Sequence, residues 1–348
     1  MIVYMLDGRP IDLLDKSLSR GGEGQTYEFQ KYRNVAKIYT DSKTAPAREA
    51  KIKELIKFFR QSNVANSTVM SKIAPPLFPL FDAHSNFVGF GMKKAKADAN
   101  LVKVYEYPPT DGTTYSIKTR IKILINLCAA IEELHNLRYI VGDMNPNNIM
   151  VNSTTGDITI IDVDSMQIRS TNGTDCRCVV CAPGYVAPEV IRKVRGYSTY
   201  AAYPGEVFTI QTDYFALAIH CFRMLFHGFH PYSVARVAGN VVSVPAPLSE
   251  DHRVEMGQTP FFTSVPGFKP PVFAPDVRSL PPYLYKLFYR AFVEGTSDPS
   301  ARPTAGEWKD ALTHYLSDIV ECSSDPSHYY WRGYQGGCPY CEAEARCR

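Results

Sequence analysis

The sequence predicts an α+β protein in which a strand-rich first segment precedes a mainly helical remainder, ending in a short tail rich in cysteine and histidine. Three observations carry this reading. Short apolar runs broken by turn formers fill residues 1–40. From residue 117 onward, apolar side chains recur at helical spacing. After residue 320, three cysteines and one histidine fall at metal-ligand spacing. At 348 residues the chain can bury one large core or two modest ones.

Within residues 1–40, Leu18-Ser19-Arg20-Gly21-Gly22-Glu23-Gly24-Gln25-Thr26-Tyr27 is a glycine loop. Asn34-Val35-Ala36-Lys37-Ile38-Tyr39 then places a lysine inside an apolar strand. Glycines let backbone N–H groups approach phosphate, and a lysine on the next strand supplies charge to the α and β phosphates. Residues 44–60 read as a helix because Ile52, Leu55, Ile56 and Phe59 fall at helical spacing. Glu49 on that helix is a candidate ion-pair partner for Lys37, with Glu54 as its competitor. Residues 73–95 read as strands. Residues 117–137 carry a wide apolar face (Ile121, Leu124, Ile125, Leu127, Cys128, Ile131, Leu134) expected to be core. Helices near 212–227, 280–293 and 304–320 complete the helical part, with the aromatics of 281–288 as packing residues.

The centre of the chain holds the chemistry. Gly142-Asp143-Met144-Asn145-Pro146-Asn147-Asn148 is followed, across a short hairpin, by Ile160-Ile161-Asp162-Val163-Asp164. Strands at 149–151 and 158–161, joined at Ser153-Thr154-Thr155-Gly156-Asp157, would pin these polar residues at their ends. Asp143 would orient or accept the proton of an attacking hydroxyl. Asn148 and Asp162 offer oxygen ligands for Mg2+ held against ATP phosphates. This is a phosphoryl-transfer set.

Downstream come Ala182-Pro183-Gly184-Tyr185-Val186-Ala187-Pro188-Glu189, an apolar helix opening at Thr212-Asp213, and Asp298-Pro299-Ser300-Ala301-Arg302. In this order the motifs resemble the protein-kinase fold over about residues 10–320. The resemblance implies a bilobal protein: a small β-rich N-lobe with its hinge (1–95), a larger helical C-lobe (96–320), and the tail (321–348). It makes Ser19-x-Gly21-Gly22-x-Gly24 the glycine-rich loop, Lys37 the nucleotide lysine, Glu49 its helix partner and Asp143 the catalytic aspartate. Asn148 and Asp162 become the metal ligands, and Met92, Lys93, Lys94 and Ala95 the hinge that meets adenine. Glu189 would pair with Arg302, and Asp213 would cap the catalytic loop. The implied cofactors are ATP and Mg2+ (or Mn2+), and the implied reaction is serine/threonine phosphorylation of a protein.

The departures from the family pattern are specific. The first loop glycine is Ser19, and the usual His-Arg before the catalytic aspartate is Val141-Gly142. A phosphate on Ser170, Thr171 or Thr174 therefore lacks a catalytic-loop arginine. Asn145 replaces the catalytic-loop lysine, and Asp-Phe-Gly has become Asp162-Val163-Asp164, which adds Asp164 as a third carboxylate near the metals. The Gly-Asp-x4-Asn and Asp-x-Asp pattern is also similar to aminoglycoside and choline kinases, which lack an Ala-Pro-Glu segment. Two alternatives to a protein kinase follow: a small-molecule kinase of that type, and a nucleotide-binding pseudokinase acting as a scaffold.

The tail, Cys322-x5-His328-x9-Cys338-x2-Cys341, offers three thiolates and an imidazole, the donor set of a structural tetrahedral zinc site. Cys347 is an alternative ligand. A kinase-like domain with this tail resembles bacterial kinases encoded beside von Willebrand A and phosphatase proteins in tellurite-resistance-type operons, which are thereby implied partners. Cys176, Cys178 and Cys181 are expected to be reduced thiols, with a metal or redox role as the alternative, and Cys128 and Cys221 to be packing residues. A hydrophobic content of 45% with 21% charged residues is that of a globular protein. A net charge of +3 makes no case for nucleic acid. With no leader-like N-terminus and no long apolar span, the chain is expected to be cytoplasmic.

Overall fold

A computed structural model describes residues 1–41, 45–169, 173–237 and 248–346. The chain folds as two compact units. One is Met1–Lys96 with Leu137–Tyr139 and Thr159–Arg177; the other is Ala97–Asn136, Ile140–Ile158 and Cys178–Arg348.

The first unit is an antiparallel sheet closed into a barrel. Its strands are β1 (Ile2–Tyr4), β2 (Pro10–Arg20), β3 (Gly24–Phe29), β4 (Asn34–Tyr39), β5 (Phe78–Phe81) and β6 (Phe87–Lys93), in the order β1-β2-β3-β4-β6-β5. Tyr4 opposite Phe81 closes the ring. Because alternate side chains point to one face, Val3, Ile11, Leu13, Phe29, Ala36 and Leu80 meet in its core. Helix α1 (Ala45–Phe59) buries Ile52, Leu55, Ile56 and Phe59, the four residues whose spacing predicts it.

The two later segments join this unit through named contacts. Ile160 pairs in parallel with Ile73. The Tyr139 ring lies 5.6 Å from Phe58 and 5.4 Å from Phe59. Lys51 of α1 donates to the carbonyls of Ser165 and Arg177 at 3.2 and 2.9 Å.

The second unit is mainly helical, built on Ile117–Asn136, Ile210–Leu225 and Ala305–Ser317. Phe222, Phe226, Phe288, Phe292 and Trp308 form a buried aromatic core in edge and stacked contacts. The helix expected at 280–293 runs as Pro282–Tyr289 and passes into a π-turn over Arg290–Glu294. Just beyond, Arg302 takes the Gly295 carbonyl at 2.6 Å. Among the described residues no helix is long and apolar enough to cross a membrane.

The tail belongs to the second unit. Ile319–Glu321 pairs antiparallel with Tyr329–Trp331, and Pro339–Ala345 is helical. The Ser327 carbonyl accepts the Ile117 amide at 2.9 Å, filling an orphan donor at a helix start. Trp331 Nε1 donates to Asp318 at 2.7 Å, and Arg346 reaches the carbonyls of Val272 and Ala274.

Gly89 of β6 faces Ile38 of β4 so closely that a Cβ there would stand 2.0 Å from the Lys37 carbonyl oxygen. Gly89→Ala is therefore expected to cost roughly 3 kcal/mol, the upper end of overpacking effects, read as a fall in the urea midpoint at unchanged m-value.

Candidate active site

In the first unit Lys37 sits mid-strand on β4, opposite Thr26 of β3 and Phe90 of β6, and is only 7% exposed. Its ammonium donates to Asp162 and to both oxygens of Asp164, at 2.9 and 2.8 Å. The Tyr39 hydroxyl adds a bond to Asp164 Oδ2 at 2.9 Å. Burial alone would favour the neutral amine, but the Asp164 and Asp162 carboxylates outweigh it and hold the ammonium above its ordinary range. For Asp164, burial opposes ionisation, and attraction to Lys37 with the Tyr39 bond overcomes it. Asp162 is raised to about 6 by burial and by the Asp164 charge. Asp162 occupies the left-handed region (φ 61°), a turn closed by the Ser165 amide and hydroxyl on its carbonyl.

The expected Lys37–Glu49 pair does not form. Glu49 pairs with Lys53 one turn along α1 at 2.7 Å, and Glu54 is not bonded to Lys37. Glu N-terminal to Lys at i, i+4 is the favoured helical order, and two carboxylates already occupy the Lys37 ammonium.

The glycine loop is a tight turn between β2 and β3 in which the Gly21 amide bonds the Gly24 carbonyl at 2.9 Å. Gly24 is required sterically, since a Cβ would lie 2.7 Å from the Ile38 carbonyl oxygen, whereas Gly22 has open space. Glu23 is held by both Arg48 terminal nitrogens at 2.8 and 3.0 Å, and that guanidinium lies 4.7 Å over the Tyr39 ring. Met92 is buried on β6 opposite Val35, Lys93 ends the strand opposite Asn34, Lys94 pairs with Glu28, and Ala95 follows outside the strand.

In the second unit the loop that carries Asp143 and Asn148 hangs from Asp213. This residue, in the first turn of Ile210–Leu225, is 1% exposed. Its carboxylate accepts the Val141 and Gly142 amides, each at 2.8 Å, and meets His135 Nε2 at 2.9 Å. His220 Nε2 meets the Met144 carbonyl oxygen at 2.8 Å. Asn145 caps the short turn Pro146–Asn148 by accepting the Asn147 amide at 3.0 Å, which sets Asn148 at the start of strand Ile149–Val151. Asp143 Oδ1 accepts the Ala182 amide at 2.8 Å. Further on, Arg302 grips both oxygens of Glu189 at 2.7 and 2.6 Å and also the Gln211 carbonyl.

The Val141-Gly142 departure has a steric basis. Gly142 has φ +70°, and a Cβ there would lie 2.5 Å from Cys178 Sγ, whose side chain is buried against it. Burial and the nearby Asp143 charge push the Cys181 thiol well up. Cys176 is buried, and Cys128 and Cys221 are fully enclosed in helices. Ser170 and Thr171 lie outside the described residues; Arg177 is bonded to Asp175.

In the tail, Cys322, His328, Cys338 and Cys341 bring their donor atoms within 4.8 Å of one another. Cys322 and Cys341 sulfurs are 3.6 Å apart, and His328 Nδ1 lies 3.7 and 3.5 Å from Cys338 and Cys341. His328 Nε2 faces Glu344 at 3.2 Å. Cys347 lies outside the described residues.

Residues 17–248 match the protein kinase domain family. The chain belongs to the protein-kinase family. It is 26% identical over 339 residues to protein kinase YegI of Escherichia coli K12 and 27% over 340 residues to that of the O157:H7 strain, covering 94% of this chain and 48% of each relative. The chain thus spans about half the length of these curated relatives. It is also 28% identical over 130 residues to human myotonin-protein kinase, covering 36% of this chain and 20% of that protein.

Sequence reasoning missed Tyr39, Arg48, His135 and His220. Tyr39 was within reach, since two residues after Lys37 on a strand returns to the same face. The histidines had no local signal, because their partners lie far off in the chain.

Gly142→Ala is expected to destabilise the protein by roughly 1–3 kcal/mol through left-handed strain and overpacking. Adding Cys178→Ala should return part of that loss, measured as a double-mutant cycle in urea.

Proposed function

We propose that this chain is an ATP-dependent serine/threonine protein kinase that transfers the γ-phosphoryl group to a protein hydroxyl. The observation that carries this reading is the buried, charged Lys37 ammonium held between Asp162 and Asp164. Such a lysine is matched to the α and β phosphates, and the backbone of Gly21, Gly22 and Gly24 to the nucleotide's phosphate chain. Asp143 takes the role of orienting the acceptor hydroxyl and receiving its proton. Asn148 and Asp162 would hold Mg2+ (or Mn2+), which when bound neutralises charge on the β and γ oxygens. Their oxygens fit a hard cation. Met92, Lys93, Lys94 and Ala95 would meet adenine through their backbone. Asp164 takes over from Glu49 as the residue that positions Lys37. The Glu189–Arg302 anchor supports a protein substrate over a small alcohol, and the names of the relatives agree. From the resemblance carried by the tail, phosphatase and von Willebrand A proteins are the proposed partners, in the cytoplasm.

A radiolabelled-ATP assay against generic proteins, small alcohols and the chain itself, with and without Mg2+ or Mn2+, tests this. Asp143→Asn should lower turnover roughly 100- to 10,000-fold while nucleotide affinity changes little. Asp162→Asn should weaken Mg2+-dependent nucleotide binding. Asp164→Asn should reduce turnover well beyond Glu49→Gln, which stays within a few-fold of wild type. Equal, low turnover in all of these, with ATP still bound, would establish the pseudokinase scaffold instead.

The tail is proposed as a structural zinc site. A tetrahedron with Zn–S bonds of about 2.3 Å has edges of about 3.8 Å, close to the 3.5–3.7 Å separations of its donors. Glu344 on the far nitrogen of His328 is the kind of outer partner that orients a ligating imidazole. Purified protein should contain about one equivalent of zinc, and chelation should loosen the C-terminus. Equal metal content near zero in wild type and Cys338→Ser, under reducing conditions, removes the assignment.

A further inference from the structure

Within the second unit, Tyr107, Arg120, His227, Ser327, His328 and Glu344 help enclose a cavity of about 220 Å³ that phosphoryl transfer does not use. Arg120, on the helix Ile117–Asn136, is 4% exposed. Its Nε donates to the Tyr115 carbonyl at 3.0 Å and one terminal nitrogen to the Met224 carbonyl at 3.4 Å. Among the described residues it forms no ion pair, and burial pushes the guanidinium down to about 10, still charged at neutral pH.

His227 packs on the Tyr107 ring with centroids 4.0 Å apart and is 6% exposed. Neither of its ring nitrogens has a partner among the described residues. Its backbone holds a left-handed φ of 48°, strain that a non-glycine residue keeps only where its surroundings demand it.

The carboxylates at the cavity are already occupied. Asp325 accepts the Ser327 amide and hydroxyl at 2.8 and 2.7 Å. Glu344 accepts the Tyr107 hydroxyl at 2.9 Å and faces His328. What remains unused is one buried positive charge and an unpaired imidazole. Native proteins rarely leave such groups without water, ion or ligand, and water does not neutralise Arg120.

We propose that this cavity is a binding site for a small free oxyanion, inorganic phosphate or a short carboxylic acid, held by Arg120 and His227. Its volume lies below the roughly 300–1,000 Å³ of sites for drug-sized ligands, so it does not take a nucleotide. Occupancy would also brace the tail, because His328 and Ser327 form part of the wall.

The test is titration calorimetry of the full chain, zinc retained, with sodium phosphate and separately with sodium malonate at constant ionic strength, with and without Mg-ADP. Wild type should show one saturable site for at least one of the two anions, undiminished by Mg-ADP and by Asp143→Asn. Arg120→Met should weaken it about tenfold or more and His227→Phe about threefold, as loss of an ion-paired donor and of an uncharged donor to the anion predicts. Unchanged affinity in Arg120→Met, or no saturable binding of either anion, overturns the site. If Arg120→Met does not fold, His227→Phe and anomalous scattering from bromide soaked into wild-type crystals decide, and bromide absent from this cavity counts against it.

Discussion

The loop that carries Asp143 depends on one buried carboxylate. Asp213 has almost no contact with solvent, so its carboxylate oxygens must find their hydrogen-bond partners inside the protein. They are met by the amides of Val141 and Gly142 and by His135. Those two amides are consecutive, and holding both fixes the peptide planes on either side of Val141, two residues before Asp143. The left-handed Gly142 is the local cost of this geometry, and the Cys178 side chain fills the space that any Cβ would need. The His-Arg of other kinases is thus incompatible with this loop as built, since an arginine at 142 would need the volume Cys178 holds.

In the first unit the organising interaction is a single ammonium shared by two carboxylates. Lys37 lies on a strand whose neighbours on both sides are hydrogen-bonded, so its Cα cannot shift without breaking the barrel. Asp164 is almost wholly buried and Asp162 part-exposed. The more buried member keeps its charge through Lys37 and Tyr39, while partial burial and that neighbouring charge raise Asp162. The asymmetry makes Asp164 the fixed counter-ion of Lys37, and Glu49 pairs along its own helix instead.

Much of this was legible in the residues. The apolar period of α1 and of Ile117–Asn136, the polar cluster between short strands, and the Glu189–Arg302 and Asp213 contacts were all readable, because each rests on local pattern or on motif order. The partner of Lys37 was not. Glu49 and Asp164 were both carboxylates at plausible positions, and only the fold decides which one the ammonium meets. The Arg120–His227 cavity was invisible for a similar reason, since Arg120 sits in a stretch that reads as an ordinary amphipathic helix, and its lack of an ion pair among the described residues is a property of packing alone.

The tail's return to the start of Ile117–Asn136 has a practical consequence. A chain shortened after the last long helix would lose the carbonyl that caps Ile117 and would also lose the buried Tyr340 and Ala343, uncovering the surface they cover. Domain boundaries drawn from motif order alone would therefore cut through a shared core, and the smallest piece suited to crystallisation or expression extends through the Pro339–Ala345 helix rather than stopping at Ser317.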